Sequence, residues 1–225
     1  MLKYGTEDFS VYRNAASRMH CYKQIRCLAL CLGFLPLLTA CQDVFQDVLV
    51  SPQPQQSSGH SAIAQVSPTT VEVRDLREQG QDRGTKRRIG ERTTLGDISM
   101  GYVWISTPPG RVLADEVRAE LSAAGHHVTT QNPSVIIDGV VIAFDVHTDV
   151  NPLFWSVVGR ISAVMNVMAN AETITRDYKA DCTERTMIWP TTEMITRVVS
   201  ACVSDIGHQF ASDWSVASAL GTMNR

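Results

Sequence analysis

Residues 135–184 read VIIDGVVIAFDVHTDVNPLFWSVVGRISAVMNVMANAETITRDYKADCTE, and the period of this stretch decides the fold class. From 135 to 147 the chain is β-rich, predicting a long strand in which Ile136, Val140, Ile142, Phe144 and Val146 share a face. Asn151 and Pro152 break the run. Residues 155–168 and 173–184 keep a period of two on either side of Asn170 and Ala171, which predicts two more long strands joined by a tight turn. Ile174, Tyr178, Ala180 and Cys182 fall on one face of the second of these. The stretch 157–168 alternates only weakly, and reads either as a central strand buried on both faces or as a partner-docking strand.

The flanking elements are helices and short strands. C-terminal to the long strands, Thr191, Thr192 and Glu193 can cap a helix whose Ile195, Val198, Val199, Cys202, Ile206 and Phe210 form one stripe. Residues 214–225 read as a loose tail. N-terminal to them, 111–124 (RVLADEVRAELSAA) is the clearest helix, with Leu113, Val117, Leu121 and Ala124 at helical spacing and Gly125 as its stop. Residues 127–130 suit a short strand after it, and 70–76 (TVEVRDL) alternate as a strand with one buried face. A loop holding Gly80, Gly84 and Gly90 lies between. The expected fold is α+β, a mainly antiparallel sheet with two helices packed on one face. The domain should span 69–213, because 51–68 (SPQPQQSSGHSAIAQVSP) has no sustained periodicity and makes 41–68 a flexible tether.

The first forty residues read as an export signal. The uncharged run CLALCLGFLPLLTA at 27–40 follows Lys23 and Arg26. At about 14 residues it is shorter than the ~20 a helix needs to cross a bilayer core. LTAC at 38–41 matches the lipobox of bacterial lipoprotein signals, which predicts cleavage before Cys41, acyl chains (palmitate among them) on its thiol, and membrane attachment through that lipid. By resemblance to enteric sorting rules, Gln42 after the cysteine points to the outer membrane, facing the periplasm. The positively charged leader becomes compact if translation starts at Met19 instead of Met1, and we expect that start.

Charge narrows the partners. The net charge is −3, but five of the 20 basic residues precede Cys41 with only two acids, leaving −6 beyond it. Such a balance argues against broad nucleic-acid binding, which needs a basic face to displace counterions.

Together, Val71 to Arg77 with the Asp75-x-Arg77 pair, Ile89-Gly90 a dozen residues on, the helix over 111–124, the long strand from 135, the hairpin about Asn170 and the last amphipathic helix resemble the YajG-like family of small bacterial lipoproteins. The resemblance spans residues 69–213 and implies an outer-membrane-anchored periplasmic domain with no catalytic residues to carry over.

Read from the residues, the body offers few reactive constellations. Cys182 and Cys202 lie on apolar faces that should pack together, 20 positions apart, and in an oxidising compartment they are disulfide candidates. Such a bridge contributes about 3 kcal/mol through the unfolded state. Asp75 and Arg77 would point the same way on a strand, as a contact site, a structural ion pair or two solvated charges. Arg83, Lys86, Arg87, Arg88 and Arg92 read as a basic loop, either solvated or set against anionic headgroups or glycan. His126 and His127 are adjacent and face opposite sides of a strand, so no metal site is expected, and no cofactor. Asp138 and Asp145, seven apart, should also face opposite sides and are a poor pair for acid–base work. The expected function is a non-catalytic envelope lipoprotein that binds a protein or glycan. The alternative is an accessory subunit of an envelope transport or secretion assembly.

Overall fold

In the computed structural model, the described residues are 46–54, 61–79, 87–170 and 172–221, all within one compact unit that begins at Asp43. Cys41, the leader and the Met19 start lie outside them.

The sheet is built around strand β7 (Val135–Asn151), which is hydrogen-bonded along its whole length to β8 (Phe154–Ala169), itself antiparallel to β9 (Glu172–Thr186). On its other edge β7 takes three short parallel strands in succession. These are β2 (Thr70–Val73) at residues 135–137, β3 (Arg77–Glu78) at 140–141, and β4 (Arg88–Thr93) at 146–147. Beyond β4 lie β5 (Ser99–Ile105), antiparallel, and β1 (Val48–Val50), parallel to β5. Beyond β2 lies β6 (His127–Val128). The fold is α+β with a mostly antiparallel sheet, as expected from the sequence.

Helices α1 (Pro109–Ala123), α2 (Thr192–Ser212) and α3 (Trp214–Gly221) bury their apolar stripes against the sheet. Helix α1 ends at Gly125, whose φ of 89° suits a residue without Cβ. Thr191 caps α2 by accepting from the Met194 amide at 3.3 Å. Ile195, Val198, Val199, Cys202, Ile206 and Phe210 are all buried, as their spacing predicted.

Five expectations are corrected. Of the segment read as a tether, the described residues 46–54 and 61–68 contribute to the domain: Val48 and Val50 are buried in β1, and Ala62 and Ile63 are buried at a 3-10 turn (Ile63–Gln65). Its low periodicity reflects its brevity, since three-residue elements cannot show a period. In the tail read as loose, residues 214–221 form helix α3, with Val216, Ala217 and Leu220 fully buried. The glycine-containing loop holds the β4–β5 hairpin. The face assigned to β7 changes parity at a bulge between Val141 and Ala143, so Ile136 and Val140 lie on the open side while Phe144 and Val146 are buried. For the same reason Asp138 and Asp145 share the open face, about 20 Å apart along the strand.

Candidate functional site

The helices cover one side of the β7–β8–β9 ribbon and leave the other open. On the covered side Val157, Ile161, Ala163, Met165 and Val167 of β8 are buried, alternating with half-buried or exposed residues on the open side. The stretch 157–168 is therefore a one-sided strand and not one buried on both faces.

The open face carries two apolar rows with a polar ladder between them and further charged pairs along the strands. Met168 pairs with Ile136 and Val164 with Val140, all four half-buried. Between these two rows, Asn166 Nδ2 donates to Asp138 Oδ1 at 2.9 Å, and Thr175 Oγ1 donates to Asn166 Oδ1 at 2.9 Å. Further along, Arg160 lies 3.6 Å from Asp181. His147 sits between Asp145 at 3.9 Å and Asp149 at 3.6 Å. Among the described residues no group of three His, Cys, Asp or Glu side chains is placed to hold a metal ion.

Cys182 and Cys202 are joined as a disulfide, with Cα atoms 5.6 Å apart. Gly159 stands opposite Cys182 on β8, and a Cβ there would lie 3.1 Å from Val198 and 3.3 Å from the Cys202 sulfur. The glycine thus lets α2 come close enough for the bridge to span from β9. A groove of about 420 Å³ lies beside it, but its charged members Arg197 and Glu184 already pair at 2.6 Å.

Asp75 and Arg77 are both exposed. Asp75 Oδ1 accepts from Arg118 Nη2 at 2.9 Å, and the same nitrogen donates to the Val73 carbonyl at 2.6 Å. The reading of Asp75 and Arg77 as neighbours on one strand is corrected: β2 ends at Val73 and β3 begins at Arg77, so Asp75 lies in the connection between them and takes its cation from α1. The two positions are 43 apart, a separation that no local pattern in the sequence marks.

The basic cluster is divided. Arg88 stacks 3.7 Å over the Tyr102 ring and pairs with Glu91 at 2.9 Å, Arg87 is exposed, and Arg83 and Lys86 lie outside the described residues. Arg92 is buried, donating to the carbonyls of Met100 at 3.0 Å and of Gln46. Burial pulls its pKa down, an effect opposed by nearby Asp47. Asp47 accepts from the Tyr102 amide at 2.8 Å and from Trp104 Nε1 at 3.0 Å, bonds that lower its pKa. Arg92 and Asp47 together clamp the start of β1 onto β5. The reading as a headgroup-binding arginine is corrected, since the guanidinium serves two backbone carbonyls.

His126, too, is structural. It is buried, with Nδ1 accepting from the Thr69 amide at 3.2 Å and Nε2 placed 3.0 Å from the Ile63 carbonyl, so Nε2 carries the proton. Asp213 ties α3 to β9: it accepts from the Ser215 amide at 2.8 Å and the Tyr178 hydroxyl at 3.1 Å, and lies 3.3 Å from Arg176. An Asp-x-Ser pattern after a long helix was the signal available for this cap, and it was missed.

No family model matches the chain, and no curated protein matches it in sequence. Among solved structures, a Xanthomonas campestris protein of the DUF330 family is similar over 75% of this chain and 94% of its own, at 9% identity and a TM-score of 0.51. An uncharacterized protein is similar over 72% of this chain and 97% of its own, at 11% identity and a TM-score of 0.47. A minor lipoprotein from Acinetobacter baumannii is similar over 67% and 93%, at 10% identity and a TM-score of 0.39. Only the first is close enough to show a shared fold, and it shows no more than that. Membership of the YajG-like family is not shown by it.

Proposed function

We propose that the chain is a lipid-anchored envelope lipoprotein without catalytic role, attached through acylated Cys41 and binding another envelope component through the open sheet face. The observation that carries the export half is the Cys182–Cys202 disulfide, which belongs to an oxidising compartment and agrees with the lipobox at 38–41. No helix among the described residues is long and apolar enough to cross a membrane, so attachment by lipid is the simplest route to a bilayer. The strip of Ile136, Val140, Val164 and Met168 supplies apolar contact, and the ladders of Asp138, Asn166, Arg160 and Asp181 supply register to a partner. By its Gln42, the chain is assigned to the outer membrane, facing the periplasm, in the manner of YajG-like lipoproteins.

The test is photo-crosslinking in cells from Val140 and Val164, followed by mass spectrometry. A reproducible protein or glycan adduct at both positions is expected, and adducts to transporter subunits alone would assign the chain to a transport assembly. Recovery of uncrosslinked protein at both sites would sink the binding reading.

A further inference from the structure

Among the described residues, five of the eight large apolar side chains that stand exposed lie at one end of the sheet: Leu95, Ile98, Leu153, Met187 and Ile188, exposed by 58% to 90%. The strand registers bring them together. Glu91 of β4 is level with His147 of β7, so the β4–β5 turn carrying Leu95 and Ile98 sits beside the end of β7. Leu153 occupies the β7–β8 turn, between the paired Asn151 and Phe154. Trp155 pairs with Thr186, and Met187 and Ile188 follow at the same level. Single exposed apolar residues are ordinary, but clustering across three loops marks a contact surface.

Behind this rim stand half-buried Phe154, Trp155 and Trp189, the two indoles edge to face at 5.9 Å. Tryptophan of this kind favours the boundary between hydrocarbon and headgroups. The charges near the rim, Asp97, Asp149 and Arg185, are mixed in sign, and Arg87 and Arg88 lie at the other end of β4. Any attraction here is therefore apolar and not electrostatic.

The chain itself says what faces the rim. β1 runs parallel to β5 with Val48 beside Val103, so the backbone traced back from Val48 heads toward the β4–β5 turn, and Arg92 holds the Gln46 carbonyl alongside that of Met100. Cys41 lies five positions before Gln46, a span of at most about 18 Å. The 17-residue β7 is about 55 Å long, so the opposite end of the sheet stays beyond reach of an anchor at Cys41.

We infer that this end of the domain rests on the bilayer that holds Cys41, with Leu95, Ile98, Leu153, Met187 and Ile188 set among the lipid headgroups and upper acyl chains. The inference rests on acylation of Cys41. It replaces a domain on a long leash with one seated directly on the membrane.

The test uses the full chain, processed in bacterial cells, purified and reconstituted in phosphatidylcholine vesicles. With Cys41 acylated and Cys182 bonded to Cys202, a single introduced thiol takes an environment-sensitive fluorophore. Leu153→Cys and Ile188→Cys probe the rim, and Trp214→Cys, beside the Asp213 that bonds Arg176 ten residues back from the end of β9, probes the far end. At 153 and 188 we expect several-fold brighter emission on vesicles, quenching by spin labels carried on lipid chains, and no change at high salt, while position 214 stays in water. Unquenched probes at 153 and 188, on acylated protein that floats with vesicles, overturn the seating alone. Shielding without lipid quenching overturns it in favour of a protein cover or second copy. An intact mass lacking acyl chains on Cys41 overturns the anchor reading and the inference with it.

Discussion

The β7–β8–β9 ribbon with α2 and the region from β1 to β5 belong to one sheet yet are held together by different physics. The ribbon is a run of adjacent antiparallel strands of 15 to 17 residues; the buried residues of β8, those of β7 on either side of its bulge, and Tyr178 and Ala180 of β9 close over Ile195, Cys202, Ile206 and Phe210. The N-terminal region is made of strands of two to seven residues, mostly parallel to their neighbours, and its joints are polar: Arg92 and Asp47 on β1, His126 on the 3-10 turn, Arg118 on Asp75. Where a strand is too short to bury enough apolar surface, directed hydrogen bonds supply the remaining specificity.

The largest effect should come from breaking the apolar side. Phe210→Ala removes a fully buried ring packed against Tyr178, and should cost about 3–5 kcal/mol in urea unfolding followed by circular dichroism. Next, replacing Cys182 and Cys202 together by alanine should lose about 3 kcal/mol. Reductant should bring the native chain down to the double variant and leave the variant unchanged. If reductant leaves the native melting temperature in place, the bridge carries no stability.

Breaking the polar side should be more local. Arg92→Met strands the Gln46 and Met100 carbonyls at a cost of about 2 kcal/mol. Hydrogen exchange should then accelerate at 48–50 and stay slow at 157–167; uniform acceleration would mean that the clamp belongs to the whole core. Smallest is Tyr178→Phe, about 1 kcal/mol at neutral pH. Burial raises the Tyr178 pKa above the ordinary 10.0, helped by Asp213. The folded state therefore holds the proton more tightly than the unfolded chain, so this stabilisation is complete below pH 10 and is lost as pH rises above it. The phenylalanine variant should show a shallower alkaline loss in thermal melts between neutral pH and pH 11.

What was legible follows the same division. The three long strands, the turn at Asn170, α1, α2 and the pairing of Cys182 with Cys202 are all written in local periods or in faces that such periods define. β1, the β4–β5 hairpin and α3 were not, because each is short and draws its stability from partners 55 or more positions away (β1) or from a cap and a β9 contact (α3). The open sheet face was half legible. Its residues were all in view, but the bulge at Ile142 reverses which of them face out, and a bulge leaves no period of its own.

By itself the sequence determined the fold class and singled out Cys182 and Cys202 as candidates for a bridge, because alternation over many residues and the faces it defines are local quantities; the bond itself was decided by the packing of α2 on β9. Only the tertiary structure decided that residues 48–50 and 61–66 are built into the domain and that five exposed apolar side chains from three loops meet at the end where the chain enters it. Those facts depend on parallel pairing between distant strands, whose register is set by three-dimensional neighbours and not by any pattern a short segment carries alone.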